Sequence, residues 1–266
     1  MSTSTILTPR PRRRTGVSHA LISLVLPVLI VVVWWFASAQ STSPYFPPLS
    51  RIWAAFVENW ISPRILTDVA PSLGRMFAGF AIAVIVGVAL GALLGRVRVL
   101  YRALNPVLQF LRALPTTALV PISIVLLGIG DTPKIALIAF GSLFPVLLNT
   151  IDGVRNIDAV LVDVAGSYRL TRVQRLRHVQ LPAAAPQVVA GIRTALTLAF
   201  VMMVVTELFG ATNGIGYVTQ LAQQGLRIPL MWSGMLLLGA LGVAVNGLFV
   251  LMERRLLRWY RQDRED

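Results

Sequence analysis

The side chains able to do chemistry are concentrated in one stretch. Between Ile157 and Pro186 the chain reads IDAVLVDVAGSYRLTRVQRLRHVQLPAAAP, which sets the acids Asp158 and Asp163 beside Arg169, Arg172, Arg175, Arg177 and His178. Catalysis has little to work with. Cysteine is absent, and the two histidines, His19 and His178, are far apart in sequence, so no cluster has metal-ligand spacing. The GxxxxGK[ST] phosphate loop is also missing, and the only lysine is Lys134, so this chain has no site of that kind for ATP. What remains is ion pairing and docking. Asp158 to Gly166 has a helical pattern, with Val160, Leu161, Val164 and Ala165 on an apolar side. Ser167 to Thr171 breaks it. Arg172 to Gln180 reads as a second short helix, with Val173, Leu176 and Val179 spaced by three and Leu181-Pro182 as its end. Two short amphipathic helices can insert into a cleft on a soluble partner, or lie as a solvated loop beside lipid headgroups. The residues alone leave both open.

The elements that position this stretch are apolar. The 266 residues are 56% hydrophobic and 13% charged, where a soluble domain carries about a quarter charged residues. Several runs exceed the ~18 apolar residues needed to cross ~30 Å of hydrocarbon. The pattern predicts an all-α, polytopic membrane protein with six transmembrane helices. Residues 1–19 form a basic tail with Arg10, Arg12, Arg13 and Arg14, and 20–39 the first span. That span is read as retained. The rival reading is a signal peptide cut after Ala37-Ser38-Ala39, whose apolar part would run only ~7–15 residues. Residues 40–64 form an external segment in which Ile52, Trp53, Phe56, Val57 and Trp60 recur at helical spacing. The core, 65–252, holds five further spans, Pro71 to Leu94, Leu104 to Gly128, Lys134 to Ile151, Gln187 to Phe209 and Leu230 to Met252, with the polar loop at 152–186. A basic tail, 253–266, follows.

Within the spans, Gly87, Gly91 and Gly95 are spaced for close helix approach. The third span contains Pro106, Pro115 and Pro121, which predicts a kinked or broken helix. Backbone freed by such a break must face protein or a water-lined cavity, so Pro115, Thr116 and Thr117 are candidates for the pathway or its gate. Ionisable residues inside spans are few: Arg112, Arg193 and Glu207. A proton- or sodium-coupled carrier usually has carboxylates near mid-span, whereas Glu207 falls near the outer end of the fifth. It joins the candidates for pathway or gate, and could equally be an interface hydrogen-bonder.

Charge orients the chain. Of 24 basic residues, 17 fall in the two tails, a short Arg96–Arg102 loop and the 152–186 loop, which six spans place on one side. The positive-inside rule makes that side, with both termini, cytoplasmic. The net charge of +13 is therefore a matter of topology and does not imply nucleic acid.

The polar stretch resembles the signature loop of permease subunits of binding-protein-dependent ABC importers. Asp163 takes the position of the family's Glu, Ala165 that of one of its alanines, and Leu181-Pro182 the ending at the right distance, followed by Ala183 to Gln187. Thr206-Glu207-Leu208-Phe209-Gly210-Ala211 and Gly214-Ile215-Gly216-Tyr217 are similar to the nitrate/sulfonate/taurine branch. The likeness runs from Ser43 to the C-terminus. Arg169 departs from it, standing where the family has glycine; a positive φ there would strain an arginine. The resemblance implies a type I importer permease in a bacterial inner membrane, not itself an enzyme. Its partners would be a second copy of the chain, cytoplasmic ATP-binding subunits that hold ATP and Mg, and an extracytoplasmic solute-binding protein. This chain would hold no cofactor. Asp163, Ala165, Arg169, Arg172, Arg175, Leu181 and Pro182 would form the ATPase-docking loop. The solute would be a sulfonate, taurine, nitrate or similar; related permeases serve heterocyclic solutes. A self-contained carrier or channel is the alternative on the residues alone.

Overall fold

A computed structural model describes residues 16–61, 64–157 and 159–257. Asp158, the basic N-terminal cluster and Arg258, Arg261 and Arg264 lie outside the described residues, as do the side chains of Asp163 and Arg172. All secondary structure among the described residues is helical. The chain divides into two compact units, one up to Ala54 and one from Ala55 onward. In the first unit, α1 (Gly16–Ser38) covers the predicted first span. Its last residue, Ser38, accepts the Leu49 N–H on its Oγ at 3.1 Å. That bond caps the segment leading into α2 (Leu49–Trp60), which carries the predicted amphipathic pattern.

The second unit is built on α3 (Ala70–Arg96) and α6 (Asp131–Arg155). Small residues on α3 let the backbones touch. A Cβ on Gly79 would lie 2.7 Å from Ile138, on Gly87 2.8 Å from Val146, on Gly91 2.6 Å from Thr150 and on Gly95 2.8 Å from Val154. Residue numbers rise together with one constant offset, so the two helices run parallel. The glycine stripe visible in the sequence therefore has its partner inside the same chain. At one end of the pair Arg75 meets Asp131; at the other Arg155 stacks 3.7 Å over the Tyr101 ring.

Parallel neighbours require the chain between them to return along their length. α4 (Arg98–Ala113) and α5 (Val120–Leu127) make that return as one bent pair, turning by 81°. The bend falls at Leu114-Pro115. Pro115 disfavours helical backbone in the residue before it, and Leu114 is extended, at φ −67° and ψ 125°. Pro121, in the first turn of α5, needs no N–H there, and Pro106 is carried inside α4. The predicted break is thus present. The predicted Arg96–Arg102 loop is not: Val97 alone separates α3 from α4.

α9 (Leu181–Leu208) packs antiparallel on α6, with Gly153 against Ala184 and Gln187, Gly191 against Asn149, and Gly141 against Met202. Met76, Val120, Leu137, Ile138, Ala199, Met202 and Met203 form the core where α3, α5, α6 and α9 meet. α11 (Ile228–Leu256) runs antiparallel to α9, tied by Arg193 to Glu253 at 3.6 Å. Four helices among the described residues are long and apolar enough to cross a membrane, and the bent pair passes the same test only when taken as one span, which makes up to five. Two sequence expectations are corrected. Leu181-Pro182 opens α9 instead of ending the helix before it. The interval left between the last two predicted spans, 210–229, is not simply a connection, because it contains α10 (Ile215–Gln224), which buries Ile215, Gly216, Val218, Thr219 and Ala222.

Proline also explains two wide turns. A π turn at Ile65–Val69 ends two residues before Pro71, and another at Leu176–Gln180 ends two residues before Pro182. A proline ring collides with the carbonyl four residues back, and one π turn widens the backbone at that place.

Candidate functional site

Where α3, α6 and α9 come together beside Asp131, charged groups are buried. Arg75 is 4% exposed and Glu207 1%. Charges out of water are tolerated only when paired and hydrogen-bonded, and here both are. The Arg75 guanidinium donates from Nε to Asp131 Oδ1 at 2.7 Å and from Nη1 to Glu207 Oε1 at 2.9 Å. It also donates to the carbonyl and the side-chain oxygen of Asn213. Glu207 Oε1 accepts from Ser72 Oγ at 2.7 Å, and its Oε2 from the Gly216 N–H at 3.0 Å. Asp68 Oδ1 takes the Gly214 N–H at 3.0 Å, and Ser72 Oγ the Ile215 N–H at 3.0 Å. Asp131, in the first turn of α6, lies where a helix dipole favours an anion; Lys134 is 3.8 Å away.

The network closes the 209–214 turn onto α3. Gly214 has φ +123°, and a Cβ there would fall 2.5 Å from the Glu207 carboxyl carbon. The Thr206–Glu207 and Gly214–Gly216 motifs are therefore two halves of one clamp. Sequence reading named Glu207 but missed Arg75, Asp68 and Ser72. The available signal was an opposite-charge pair, Arg75 and Glu207, stranded in otherwise apolar runs.

The polar stretch lies at the opposite end of this unit. α7 (Ala159–Ser167) is followed by a turn and by α8 (Arg172–Arg175), which continues into the second π turn. Arg96 reaches Gln180 Oε1 at 3.4 Å, so the stretch borders the end of α3. The turn is a Schellman motif: Leu170 N–H bonds to Ala165 O at 3.2 Å and Arg169 N–H to Gly166 O at 2.9 Å. Arg169 occupies its left-handed position, at φ +51°. The strain expected from the missing glycine is present. A capping box starts the next helix: Thr171 Oγ1 accepts the Gln174 N–H at 3.3 Å, and Gln174 Oε1 accepts the Thr171 N–H at 2.9 Å. Ala165 is buried, and Arg175 is half-buried. Val160, Leu161, Tyr168 and Leu181 are exposed, with Tyr168 at 77%. The turn therefore presents an apolar and aromatic surface among its arginines, while Pro182 is half-buried.

The remaining candidates are elsewhere. Thr116 lines a hollow of about 310 Å³ with Arg112, Gly141, Pro145 and Met202, while Pro115 and Thr117 are exposed beside it. Glu207 does not share that hollow. Among the described residues no three His, Cys, Asp or Glu side chains gather as metal ligands.

The described residues thus form an all-helical membrane-type bundle with a short polar helix pair at one end and a buried ion network at the other. The sequence matches the binding-protein-dependent transport system inner membrane component family over residues 83–258, and the chain belongs to that family. The putative aliphatic sulfonates transport permease protein SsuC of Escherichia coli (strain K12) is 36% identical over 88% of this chain and 90% of its own. The riboflavin transport system permease protein RibX of Chloroflexus aurantiacus is 31% identical over 96% of each. In fold, the chain is similar to a subunit in an inward-facing structure of the MetNI methionine ABC transporter. There the TM-score is 0.62 at 20% identity, over 71% of this chain and 94% of the other. The protein is thus a membrane-spanning permease of an ABC importer, an inner-membrane transport component and not an enzyme. ATP-binding subunits and a binding protein are the partners such a permease works with.

Proposed function

We propose that two copies of this chain form the path of an ATP-driven importer for a small organic anion such as an aliphatic sulfonate, with taurine and nitrate as related solutes. Two ATPase subunits grip the α7–α8 turns from the cytoplasm, and a binding protein delivers the solute to the opposite end. ATP and Mg belong to the ATPases; this chain contributes no cofactor. Both termini are cytoplasmic. The observation that carries this reading is the exposed, rigidly capped α7–α8 turn at the basic end of the bundle. A docking element has to transmit force, and its Schellman turn and capping box make it stiff. Asp163, Arg169, Arg172 and Arg175 supply its charges, and Tyr168 a large exposed ring.

Affinity purification of the tagged permease, co-expressed with its ATPase, tests the assignment. Tyr168→Asp and Asp163→Lys should each cut ATPase recovery about 10-fold or more, with permease yield unchanged; interface anchors of this kind are worth upwards of ~1–2 kcal/mol. Undiminished recovery from both variants would overturn the docking role.

A further inference from the structure

α4 carries a polar face whose use the docking and delivery steps do not explain. Arg98, Arg102, Asn105, Gln109 and Arg112 follow one another at alternating steps of four and three. At 100° per residue they cover a strip only about 80° wide. Leu100, Tyr101 and Leu108, on one flank, pack toward the core of Leu94, Leu147 and Ile151. Val99, Val107 and Phe110 are exposed on the far side. The polar strip lies between these faces, exposed except at Asn105, which is half-buried.

Its last member is deep. Arg112 lines the same hollow as Gly141 and Met202. Gly141 lies along α6 about 15 Å from its first residue and about 21 Å from its last, at 1.5 Å per residue. That level is far inside a hydrocarbon layer of about 30 Å. A charged group there must face water or a counter-charge. No carboxylate pairs with Arg98, Arg102 or Arg112 among the described residues. The carboxylates that the structure places are engaged or sited elsewhere. The chain has eleven acids. Asp131 and Asp152 are near the ends of α6, and Glu253 pairs with Arg193 near the end of α11. Asp68 and Glu207 are consumed by the buried clamp. Glu58 lies on α2, and the others belong to the 157–186 stretch or the C-terminal tail.

We propose that the polar face of α4 lines the solute path and that Arg112 is its charge-selecting contact, receiving the anionic head of the solute midway through the membrane. This rests on the importer reading and adds to it the lining helix and the specificity residue. Arg98 and Arg102 extend the positive potential toward the cytoplasmic exit. A low-dielectric channel lined by one sign of charge concentrates the opposite ion by factors of about 10 or more.

This chain has no cysteine, so an introduced thiol is the only one it offers to a reagent. Gln109→Cys and Phe110→Cys are introduced singly into the full transporter, expressed with its ATPase and binding protein, in membrane vesicles. The probes are an anionic reagent, sulfonatoethyl methanethiosulfonate, and a cationic one, trimethylammonioethyl methanethiosulfonate, each rate normalised to that reagent's rate with a free thiol. Gln109→Cys should react about 10-fold faster than Phe110→Cys, and about 10-fold faster with the anion than with the cation. Arg112→Gln should remove the anion preference, and Arg112→Lys should keep it. Equal rates at both positions overturn the lining. A Gln109→Cys site that reacts equally with both reagents overturns the charge selection, and this is decided with Arg112 intact even if its variants fail to assemble. Whether ATP plus vanadate changes these rates is a separate readout. If it does not, the ATP-coupled importer reading fails while the anion preference stands or falls on its own.

Discussion

Arg75 is the residue on which most of the buried charge depends. Its guanidinium joins Glu207 of α9, Asp131 of α6 and Asn213 of the following turn, and Ser72 and Gly216 complete the carboxylate's shell. Removing one member leaves the other charged and unsatisfied out of water, which costs about 3–5 kcal/mol. Arg75→Ala or Glu207→Ala should therefore sharply lower the melting temperature of the detergent-solubilised permease. The double replacement Arg75→Met/Glu207→Met should lose much less than the sum of the two. Additive losses would mean that the pair does not act as one unit. Glu207 was legible as unusual because carboxylates are rare in such runs. Its partners were not, since Arg75 lies 132 positions away in the chain and only packing brings the two together.

Among the elements, the α7–α8 turn shows how local rules can be right about a break and wrong about its form. The sequence placed helices on both sides of Ser167 to Thr171, and the structure agrees. It also placed Leu181-Pro182 at the end of a helix, whereas the π turn before it lets Pro182 sit in the first turn of α9. α10 was missed because its ten residues hide among the glycine and polar signals of a loop, and its burial depends on α9 and α11. Arg169 offers a measurement at this scale. A non-glycine residue in the left-handed region costs about 1 kcal/mol or more. Arg169→Gly should stabilise the Schellman turn by that order, which hydrogen exchange would register as roughly 5-fold slower exchange of the Leu170 amide. No change would mean that the turn already opens independently of residue 169.

For the whole molecule, the parallel pairing of α3 with α6 fixes the path of the chain. It makes α4 and α5 one return crossing and puts Arg96, Arg155, Arg177 and Arg254 at the same end. The positive-inside rule applied to that clustering gives the orientation we propose. With Thr171→Cys and Gln224→Cys introduced separately, both exposed positions, a membrane-impermeant maleimide should label only Gln224→Cys in intact cells. In inverted vesicles it should label only Thr171→Cys, and the reverse pattern would turn the topology over. The sequence by itself determined the membrane character, the apolar spans, the broken third span and the family, because hydrocarbon thickness and helix geometry act on continuous runs of residues. Only the tertiary structure decided which residues become partners. The glycines of α3 meet α6, Glu207 meets Arg75, and the polar face of α4 ends in a hollow shared with α6 and α9. Those pairings depend on helices separated by long stretches of chain, so no local pattern records them. The polar stretch at 157–186 was conspicuous from composition, but its strained Arg169 and exposed Tyr168 took their meaning from a backbone that the sequence could only suggest.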